Sequence, residues 1–203
     1  MSAPSSRKRV AKRAFDLALG GLLLPLLVPL LLLIALAIKI DSRGPSVFTQ
    51  SRTGMNGRRF PMFKFRTMVR NAEELKAALQ HLNILPPPDF KIIDDPRITR
   101  VGRFLRKTSL DELPQIINVL RGEMSFVGPR PTSFAPETYD LWHTERLEVV
   151  PGITGLWQVK GRNSMTFDER LRLDIQYVRN STFGLDLRIL GMTAKAVFAR
   201  AGA

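Results

Sequence analysis

A run of 22 apolar residues near the start of the chain limits the folds that the sequence can adopt. Residues 17–38, LALGGLLLPLLVPLLLLIALAI, contain no charged or hydrogen-bonding side chain. As a straight helix this run would be roughly 33 Å long, enough to cross the hydrocarbon core of a bilayer. A core helix of a soluble domain would have a polar face, and this run has none. The sequence therefore predicts a segment that lies in lipid.

Basic residues lie on both sides of the apolar run. Residues 7–13 carry five Arg and Lys before it, and Lys39 is the first of a second basic group after it. Because basic residues mark the cytoplasmic side of a membrane segment, both ends are expected on the same side. Pro25 and Pro29 inside the run each remove a backbone donor and can break a helix. We therefore predict a re-entrant segment that enters one leaflet, breaks near Pro29 and returns to the same face.

A spanning anchor with tolerated prolines is the alternative to a re-entrant segment. A cleaved signal peptide is disfavoured, because the run is longer than the usual apolar core of such a peptide. On the re-entrant interpretation the chain has three parts: a basic tail at residues 1–12, a membrane helix-break-helix at 13–40, and a compact domain at 41–203.

The charge balance of the chain indicates a polyanionic partner. Its 31 Lys and Arg against 18 Asp and Glu give a formal net charge of +13. Nucleic acid, an anionic membrane surface and phosphorylated substrates all fit such a charge. A nucleic-acid binder would need a recognition helix or aromatic residues in a basic groove, and it would not need a lipid segment. Nucleic acid is therefore not an expected partner.

The absence of cysteine excludes a disulfide framework, a thiolate nucleophile and a cysteine zinc site. The two histidines, His81 and His143, do not lie in a metal-binding motif. A metal ion in this protein is therefore expected to be a hard, oxygen-bound ion such as magnesium.

The rest of the chain predicts short helices and little sheet. Residues 45–68 mix β-branched and aromatic residues with two glycines, which is typical of a small β-hairpin. Two segments rich in Gly and Pro, FVGPRPTS and VVPGITGLWQVKGRNS, are predicted as loops. Thr166 and Glu169 form a capping box at the start of one helix. The last helix mixes basic and apolar residues, so it can lie in a membrane interface, with ordinary packing against the domain as the commoner alternative. The fold class is mainly α with a small β-hairpin, and the predicted helices are residues 69–82, 97–107, 110–120, those that follow Thr166, and 186–200.

Two adjacent carboxylates, Asp111 and Glu112, lie within the stretch TSLDELPQ of this basic chain. Ser109 followed three residues later by Glu112, ahead of the apolar run IINVL, fits a capping box. On that interpretation Ser109 caps the helix, and Asp111 favours the positive end of the helix dipole. A catalytic pair is the other interpretation. The two are compatible, because a helix N-terminus also attracts phosphate oxygens.

Basic residues recur in irregular segments of the chain. Lys64 and Arg66 lie in KFRTM, Arg130 in GPRP and Arg162 in GRN. Arginines held beside prolines or glycines lose few conformations when they bind a phosphate. Surface charge that keeps the protein soluble is the alternative for each of them alone. Several such residues together with one acidic pair favour a phosphate-binding site.

Five segments in order along the chain resemble a known family. They are the stretch from FDLALGG to QSRTG, KFRTM, SLDELPQIINVLRGEMSFVGPRP, PGITGLWQVKGRN and LDIQYV. In this order they resemble the bacterial sugar transferases, which are monotopic polyprenyl-phosphate phosphoglycosyl transferases. The resemblance covers residues 13–199, and it is to the minimal catalytic form, without the additional spanning helices of larger members.

The resemblance implies a two-step transfer reaction. Members of the family move a sugar 1-phosphate from a nucleotide diphosphate sugar, here expected to be a UDP-sugar, to polyprenyl (undecaprenyl) phosphate, and they release the nucleoside monophosphate. Asp111 matches the family's nucleophile, which forms a covalent phosphosugar intermediate, and Glu112 matches its magnesium ligand. The reaction would begin the synthesis of a surface polysaccharide or glycoconjugate. A carboxylate that attacks a diphosphate adds to its negative charge, so magnesium and fixed guanidinium groups suit this chemistry.

The resemblance also implies roles for supporting residues. Asp186 falls on a supporting polar position, Pro29 matches the break in the membrane helix, and Pro25 is an additional proline beside it. The phosphate-binding positions of the family fall on five basic residues: Lys64, Arg66, Arg106, Arg130 and Arg162.

The implied location is the cytoplasmic face of the bacterial inner membrane, where a monotopic enzyme contacts membrane lipids. The oligomeric state is left open, with a homodimer as one option. A non-catalytic membrane scaffold for glycan assembly is the alternative function, because every sequence feature except Asp111 and Glu112 fits a scaffold equally well. The intact acidic pair favours the enzyme.

Overall fold

The computed structural model describes residues 6–85, 90–160 and 165–201. Helices dominate this part of the chain, and its strands form two small two-stranded sheets, so the prediction of a mainly α fold with a small hairpin is confirmed. The helices are α1 (Ser6–Asp41), α2 (Glu74–Ala78), α3 (Arg100–Thr108), α4 (Gln115–Arg121), α5 (Leu156–Lys160), α6 (Phe167–Arg179) and α7 (Phe183–Ala201). The strands are β1 (Val47–Thr53), β2 (Arg59–Phe65), β3 (Ser125–Val127) and β4 (Gly152–Thr154).

α1 is one continuous helix of 36 residues that contains the apolar run. Its length and composition are sufficient to cross a membrane, and only 11% of its most apolar window is buried inside the protein. Pro25 and Pro29 both lie within it, so no non-helical residue separates the two predicted halves, and a bend at Pro29 stays a prediction. Each proline removes a single backbone donor, and a helix of this length can continue on both sides of such a gap. The re-entrant course itself stays a prediction.

The first half of α1 is bonded to the body of the protein. The Arg13 guanidinium donates to the carbonyl of Leu120, near the end of α4, at 2.8 Å. The Asp16 carboxylate accepts from the Ser125 hydroxyl at 3.0 Å and from the Phe126 amide at 3.1 Å, both in β3. These contacts fix the start of the apolar run against α4 and β3.

The second half of α1 also contacts the body. Ile34 and Ile38 are buried against Phe65 of β2 and Leu105 of α3. The Asp41 carboxylate accepts a hydrogen bond of 3.1 Å from a backbone amide in the first turn of α3. Both ends of the apolar run therefore lie on one body. Between them the helix exposes large apolar side chains, among them Leu22, Leu26, Leu32, Leu33 and Leu36.

β1 and β2 form the predicted antiparallel hairpin, with Val47 opposite Phe65 and Thr53 opposite Arg59. The turn between them contains Gly57 with a φ of 74°, a conformation that glycine adopts at little cost. Phe60 and Met62 of β2 are buried on one face of the hairpin, where they pack against Val119 of α4 and Met124 just before β3. The hairpin therefore has one face in the core of the protein.

A second sheet forms where loops were predicted. β3 and β4 are parallel, with Ser125 opposite Gly152 and Val127 opposite Thr154. A Cβ atom on Gly152 would lie 2.0 Å from the backbone nitrogen of Gly128, so the absence of a side chain allows this close approach. The glycines that suggested a loop are what lets the two segments pair.

The second predicted loop also contains a short helix, which is a further correction. α5 covers Leu156–Lys160 and begins directly after Gly155. Its five residues, LWQVK, include neither Gly nor Pro, and they are enough for one helical turn.

Three predicted helices have different bounds in the structure. The segment 69–82 is helical only in α2 and in a 3₁₀ turn at Gln80–Leu82, because its first residue, Val69, donates its backbone amide to the Arg97 carbonyl at 2.9 Å. α3 begins at Arg100 rather than at residue 97, since the Thr99 side chain caps it. The segment 110–120 consists of a 3₁₀ turn, Leu110–Glu112, followed by α4.

The predicted capping box at the start of α6 is confirmed. The Thr166 hydroxyl accepts from the backbone amide of Glu169, and the Glu169 carboxylate accepts from the Thr166 amide at 2.8 Å. α7 begins at Phe183, three residues before its predicted start.

Candidate active site

The chain turns at Ser109, where α3 ends and the acidic pair begins. Ser109 has a left-handed conformation, with φ of 61°, and it is the C-terminal cap of α3. Its side chain makes no capping hydrogen bond to the 3₁₀ turn that follows. The capping box predicted for Ser109 and Glu112 is therefore wrong, because a left-handed residue closes the helix before it rather than opening the next one. The Glu112 carboxylate bonds to other partners instead.

Two cations hold Glu112. The Lys64 ammonium lies 2.9 Å from its Oε1 atom. The Arg130 guanidinium donates to both oxygens, to Oε1 through Nη2 and to Oε2 through Nη1 at 3.3 Å. Burial alone would raise the pKa of Glu112, but the charges of Arg130 and Lys64 outweigh burial and hold this pKa well below its usual range. Glu112 is therefore ionised near neutral pH.

Asp111 has no such fixed partner. No described residue donates a hydrogen bond to its carboxylate. Burial raises the pKa of Asp111 above its ordinary value of 3.8, while the charge of Lys64 and those of two nearby arginines oppose the rise. Within the described part of the chain, Asp111 is the carboxylate of the pair whose oxygens are available to a ligand.

A cavity of about 960 Å³ opens beside the acidic pair. Arg106 is fixed in its wall by a hydrogen bond of 2.9 Å from Nε to the Thr67 hydroxyl. Arg66 is fixed by hydrogen bonds from Nη2 to the carbonyl of Ser42, at 2.7 Å, and to its hydroxyl, at 3.0 Å. Six predicted site residues line this one cavity: Lys64, Arg66, Arg106, Asp111, Glu112 and Arg130.

Asp186 lies apart from these residues. Its carboxylate accepts from the Tyr177 hydroxyl at 2.6 Å and from the Lys12 ammonium at 2.6 Å, so it joins α7 to α6 and α1. It is not among the described residues that line the cavity, so its predicted supporting role does not consist of direct contact with the cavity. Arg162, also predicted for the site, lies outside the described residues.

Arg52 is a cavity residue that sequence reasoning did not assign to the site. It lies on β1 and lines the same cavity as Lys64 of β2. Lys64 pairs with Phe48, so these two side chains lie on the same face of the hairpin. Arg52 is four residues after Phe48, and because side chains alternate between faces along a strand, it lies on that face too. Burial, and then the charge of Arg130, lower the pKa of Arg52 to about 10. Two arginines this close repel each other, so the arrangement favours an anionic ligand. Only the hairpin register, which the sequence does not give, would have identified Arg52.

A magnesium ion at this site would have few protein ligands. Within the described residues, no group of three or more Asp, Glu, His or Cys side chains is placed to hold a metal ion. Magnesium is commonly bound through one or two carboxylates, with water and substrate phosphates completing its shell. Asp111 has no described donor, and Oε2 of Glu112 accepts from only one donor, which leaves it a free lone pair. The acidic pair therefore fits the predicted ion.

The long apolar helix and the cation-lined cavity together indicate a membrane-associated protein with a site for anionic ligands. The sequence matches the bacterial sugar transferase family over residues 7–200. This protein belongs to that family.

Three relatives are similar to this protein over nearly the whole chain. The chain is 45% identical over 197 residues to the galactosyl transferase CpsE of Streptococcus agalactiae serotype III, and 46% identical over 200 residues to the undecaprenyl-phosphate galactose phosphotransferase of Salmonella typhimurium. Each alignment covers 96% of this chain, but only 43% and 42% of the two relatives. It is 42% identical over 197 residues to the exopolysaccharide production protein ExoY of Rhizobium meliloti, covering 93% of this chain and 85% of that protein. The chain thus spans about two fifths of the first two relatives and most of the third.

Proposed function

We propose that this protein transfers a sugar 1-phosphate from a nucleotide diphosphate sugar, expected to be a UDP-sugar, to a polyprenyl phosphate and releases the nucleoside monophosphate. The name of one relative, an undecaprenyl-phosphate galactose phosphotransferase, supports the acceptor and the type of reaction. The observation that carries the proposal is the contrast within the acidic pair. Glu112 is neutralised by Lys64 and Arg130, whereas Asp111 beside it lines the cavity with no described partner.

In the proposed first step, a carboxylate oxygen of Asp111 attacks the phosphorus atom that bears the sugar. The bond from this phosphorus to the bridging oxygen breaks, and the nucleoside monophosphate leaves with the bonding electrons. The sugar phosphate is then joined to Asp111 as an acyl phosphate. Asp111 must be ionised to attack, and the charges of Lys64 and Arg106 favour that form against the effect of burial.

In the proposed second step, an oxygen of the polyprenyl phosphate attacks the same phosphorus. The bond to Asp111 breaks, which restores the carboxylate and gives a polyprenyl diphosphate sugar. The reacting groups are anionic in both steps, so cations fixed in the cavity wall reduce the repulsion between them. Arg52, Lys64, Arg106 and Arg130 supply this charge. Magnesium bound by Glu112 would neutralise additional phosphate charge.

The lining of the cavity supports an acceptor with an anionic head and an apolar chain. Besides the cations, its wall includes Leu23 and Leu27 of α1, Phe126 of β3 and Leu190 of α7. An isoprenoid chain in contact with these residues would stay out of water while its phosphate reached Asp111.

The contacts of α1 support a re-entrant, monotopic placement on the cytoplasmic face of the bacterial inner membrane. Asp16 and Asp41 both bond to the body, although roughly 37 Å of straight helix would separate them. A helix that crossed the bilayer would carry one of these ends away from the body. Phe183 and Leu187 of α7 are exposed, which supports an interfacial position for that helix as well.

Cysteine labelling tests this topology, because the native chain contains no cysteine. We expect Ser5→Cys to be protected from an impermeant thiol reagent in intact cells. In a variant that also carries Pro25→Leu and Pro29→Leu, a straighter helix should cross the bilayer and expose the same position. Labelling of Ser5→Cys from outside with both prolines present would contradict the re-entrant placement and support a spanning anchor.

Turnover by the purified protein tests the proposed reaction. Nucleoside monophosphate release is measured with undecaprenyl phosphate across a panel of nucleotide sugars, with Asp111→Asn as the inactive control. We expect release that depends on the acceptor, on one or a few of the sugars and on Asp111. No release from any nucleotide sugar by folded protein would contradict the proposal and favour the membrane scaffold.

A further inference from the structure

A second ion pair, Arg146 with Asp174, lines a smaller cavity of about 310 Å³ that shares Arg52 and Arg130 with the first. The two side chains are 2% and 1% exposed, and Arg146 donates to Oδ2 of Asp174 through Nη2 at 2.6 Å and through Nε at 3.1 Å. The pair joins a 3₁₀ segment, Leu141–Glu148, to α6. Burial raises the pKa of Asp174 to about 6, against the effect of the Arg146 charge. A pair buried to this degree contributes little net stability, because the loss of hydration offsets the attraction.

Arg146 also reaches the loop that carries Arg130. Its Nη2 atom donates to the backbone carbonyl of Arg130. Arg130 lies between two prolines, which have no backbone N–H, so this loop is fixed largely through its carbonyl groups. The Arg130 side chain in turn bonds to both oxygens of Glu112. A continuous series of contacts therefore leads from Asp174 through Arg146 and Arg130 to Glu112.

We propose that Arg146 and Asp174 are positioning residues for Arg130 in the transfer reaction; this inference rests on the proposed function. Asp174 holds the Arg146 guanidinium in one orientation, and Arg146 then holds the main chain of Arg130. This places the Arg130 guanidinium where it bonds both oxygens of Glu112, while Asp111 has no hydrogen-bond donor among the described residues. Neither positioning residue bonds to the acidic pair among the described residues.

The chain contains a matched control for this pair. Glu145 and Arg179 join the same 3₁₀ segment to α6, through hydrogen bonds of 2.7 and 2.6 Å. Their side chains are 25% and 49% exposed, and within the described residues this pair does not bond to the Arg130 loop. Breaking it loosens the same two elements but leaves the contact with Arg130 in place.

The test is a double-mutant cycle on kcat/KM for sugar-phosphate transfer. Asp174→Asn is measured in the native background and in Arg130→Lys, which keeps the charge but loses the two-point contact with Glu112. We expect a loss of about tenfold in the native background and a much smaller loss in Arg130→Lys, because residues that act through one another are not additive. Glu145→Gln should change kcat/KM in neither background.

A second variant separates a loss of activity from a loss of folding. Arg146→Met with Asp174→Leu removes both charges, so no unpaired charge is left buried, and such replacements are often neutral for stability. This double variant should unfold near the native temperature and still lose about as much kcat/KM as Asp174→Asn. Equal losses in the two backgrounds, no loss in the native background, or a comparable loss in Glu145→Gln would each overturn the proposal.

A side-chain NMR measurement does not depend on turnover. The Arg130 guanidinium signal in ¹⁵N-arginine-labelled protein is identified by its absence in Arg130→Lys. It should shift in Asp174→Asn and in the Arg146→Met, Asp174→Leu variant, and it should not shift in Glu145→Gln. An Arg130 signal that stays in place in all of these would overturn the positioning role. Native protein that does not transfer sugar phosphate would contradict only the proposed function.

Discussion

Asp16 and Asp186, which join α1 and α7 to the body, differ from the acidic pair Asp111 and Glu112 in how their charges are satisfied. Asp16 and Asp186 are 3% and 4% exposed, and each carboxylate accepts two hydrogen bonds. In the acidic pair Glu112 is bonded to two cations, whereas Asp111 accepts no hydrogen bond from a described residue. A half-buried carboxylate without a donor lowers stability, so its place beside a cavity indicates a ligand. The comparison separates carboxylates that join helices from one that is available for chemistry.

Asp111→Asn should have the largest effect on turnover. The amide keeps the shape of the side chain but is not a nucleophile, so transfer should fall by several orders of magnitude. Nucleoside monophosphate release measures the loss, and thermal unfolding checks that the fold is intact. Near-native rates in this variant would remove Asp111 from the mechanism.

Glu112→Gln should have the next largest effect. A neutral amide is a poorer ligand for a hard cation, and it leaves Lys64 and Arg130 without their shared counter-charge. We expect turnover to fall by about a hundredfold and magnesium to be required at higher concentration. Turnover measured across a magnesium titration gives both the fall in rate and the change in magnesium requirement. If the well-folded variant has a native titration curve, the ion is held elsewhere.

Arg106→Met should have a smaller effect, visible in the pH profile of kcat/KM. Asp111 must be deprotonated to attack, so the rate falls as pH drops through its pKa. Burial raises this pKa, and the charge of Arg106 is among those that lower it. Removal of this charge should therefore move the acidic limb to higher pH, by up to about one unit. A shift to lower pH would mean that the limb reports a different group.

Asp186→Asn should have the smallest effect on turnover. Its hydrogen bonds to Tyr177 and Lys12 weaken, which should lower the free energy of unfolding by about 1–3 kcal/mol. Turnover per folded molecule should stay near native, because Asp186 is not among the described residues that line the cavity. Denaturant unfolding and nucleoside monophosphate release are measured on the same preparation. A large loss of turnover at native stability would place Asp186 in the reaction after all.

Features set by local sequence were predicted well. The apolar run predicts α1, the β-branched and aromatic residues around two glycines predict the hairpin, and Thr166 with Glu169 predicts a capping box. In each case the pattern and the contacts that satisfy it lie within a few residues or one continuous element. The same local rule failed at Ser109, whose left-handed conformation ends α3 before a capping box can form.

Features set by contacts between distant segments were not predictable from the sequence. β3 and β4 pair across a separation of 27 residues, and neither strand is long enough to show a pattern of its own. Arg52 joins the site only through the register of the hairpin, and Asp186 bonds to Tyr177 and Lys12 rather than lining the cavity. Candidate charged residues could be selected from the sequence, but which of them line the cavity depends on tertiary contacts.

The most direct test of the account is the mass of the protein after incubation with a nucleotide sugar and no acceptor. The proposed mechanism predicts that native protein gains the mass of one sugar phosphate and releases an equal amount of nucleoside monophosphate. The added mass should lie on the fragment that contains Asp111, should disappear when polyprenyl phosphate is added, and should be absent in Asp111→Asn. If a protein that turns over the complete substrate pair never gains this mass, or gains it on a fragment without Asp111, Asp111 is not the nucleophile.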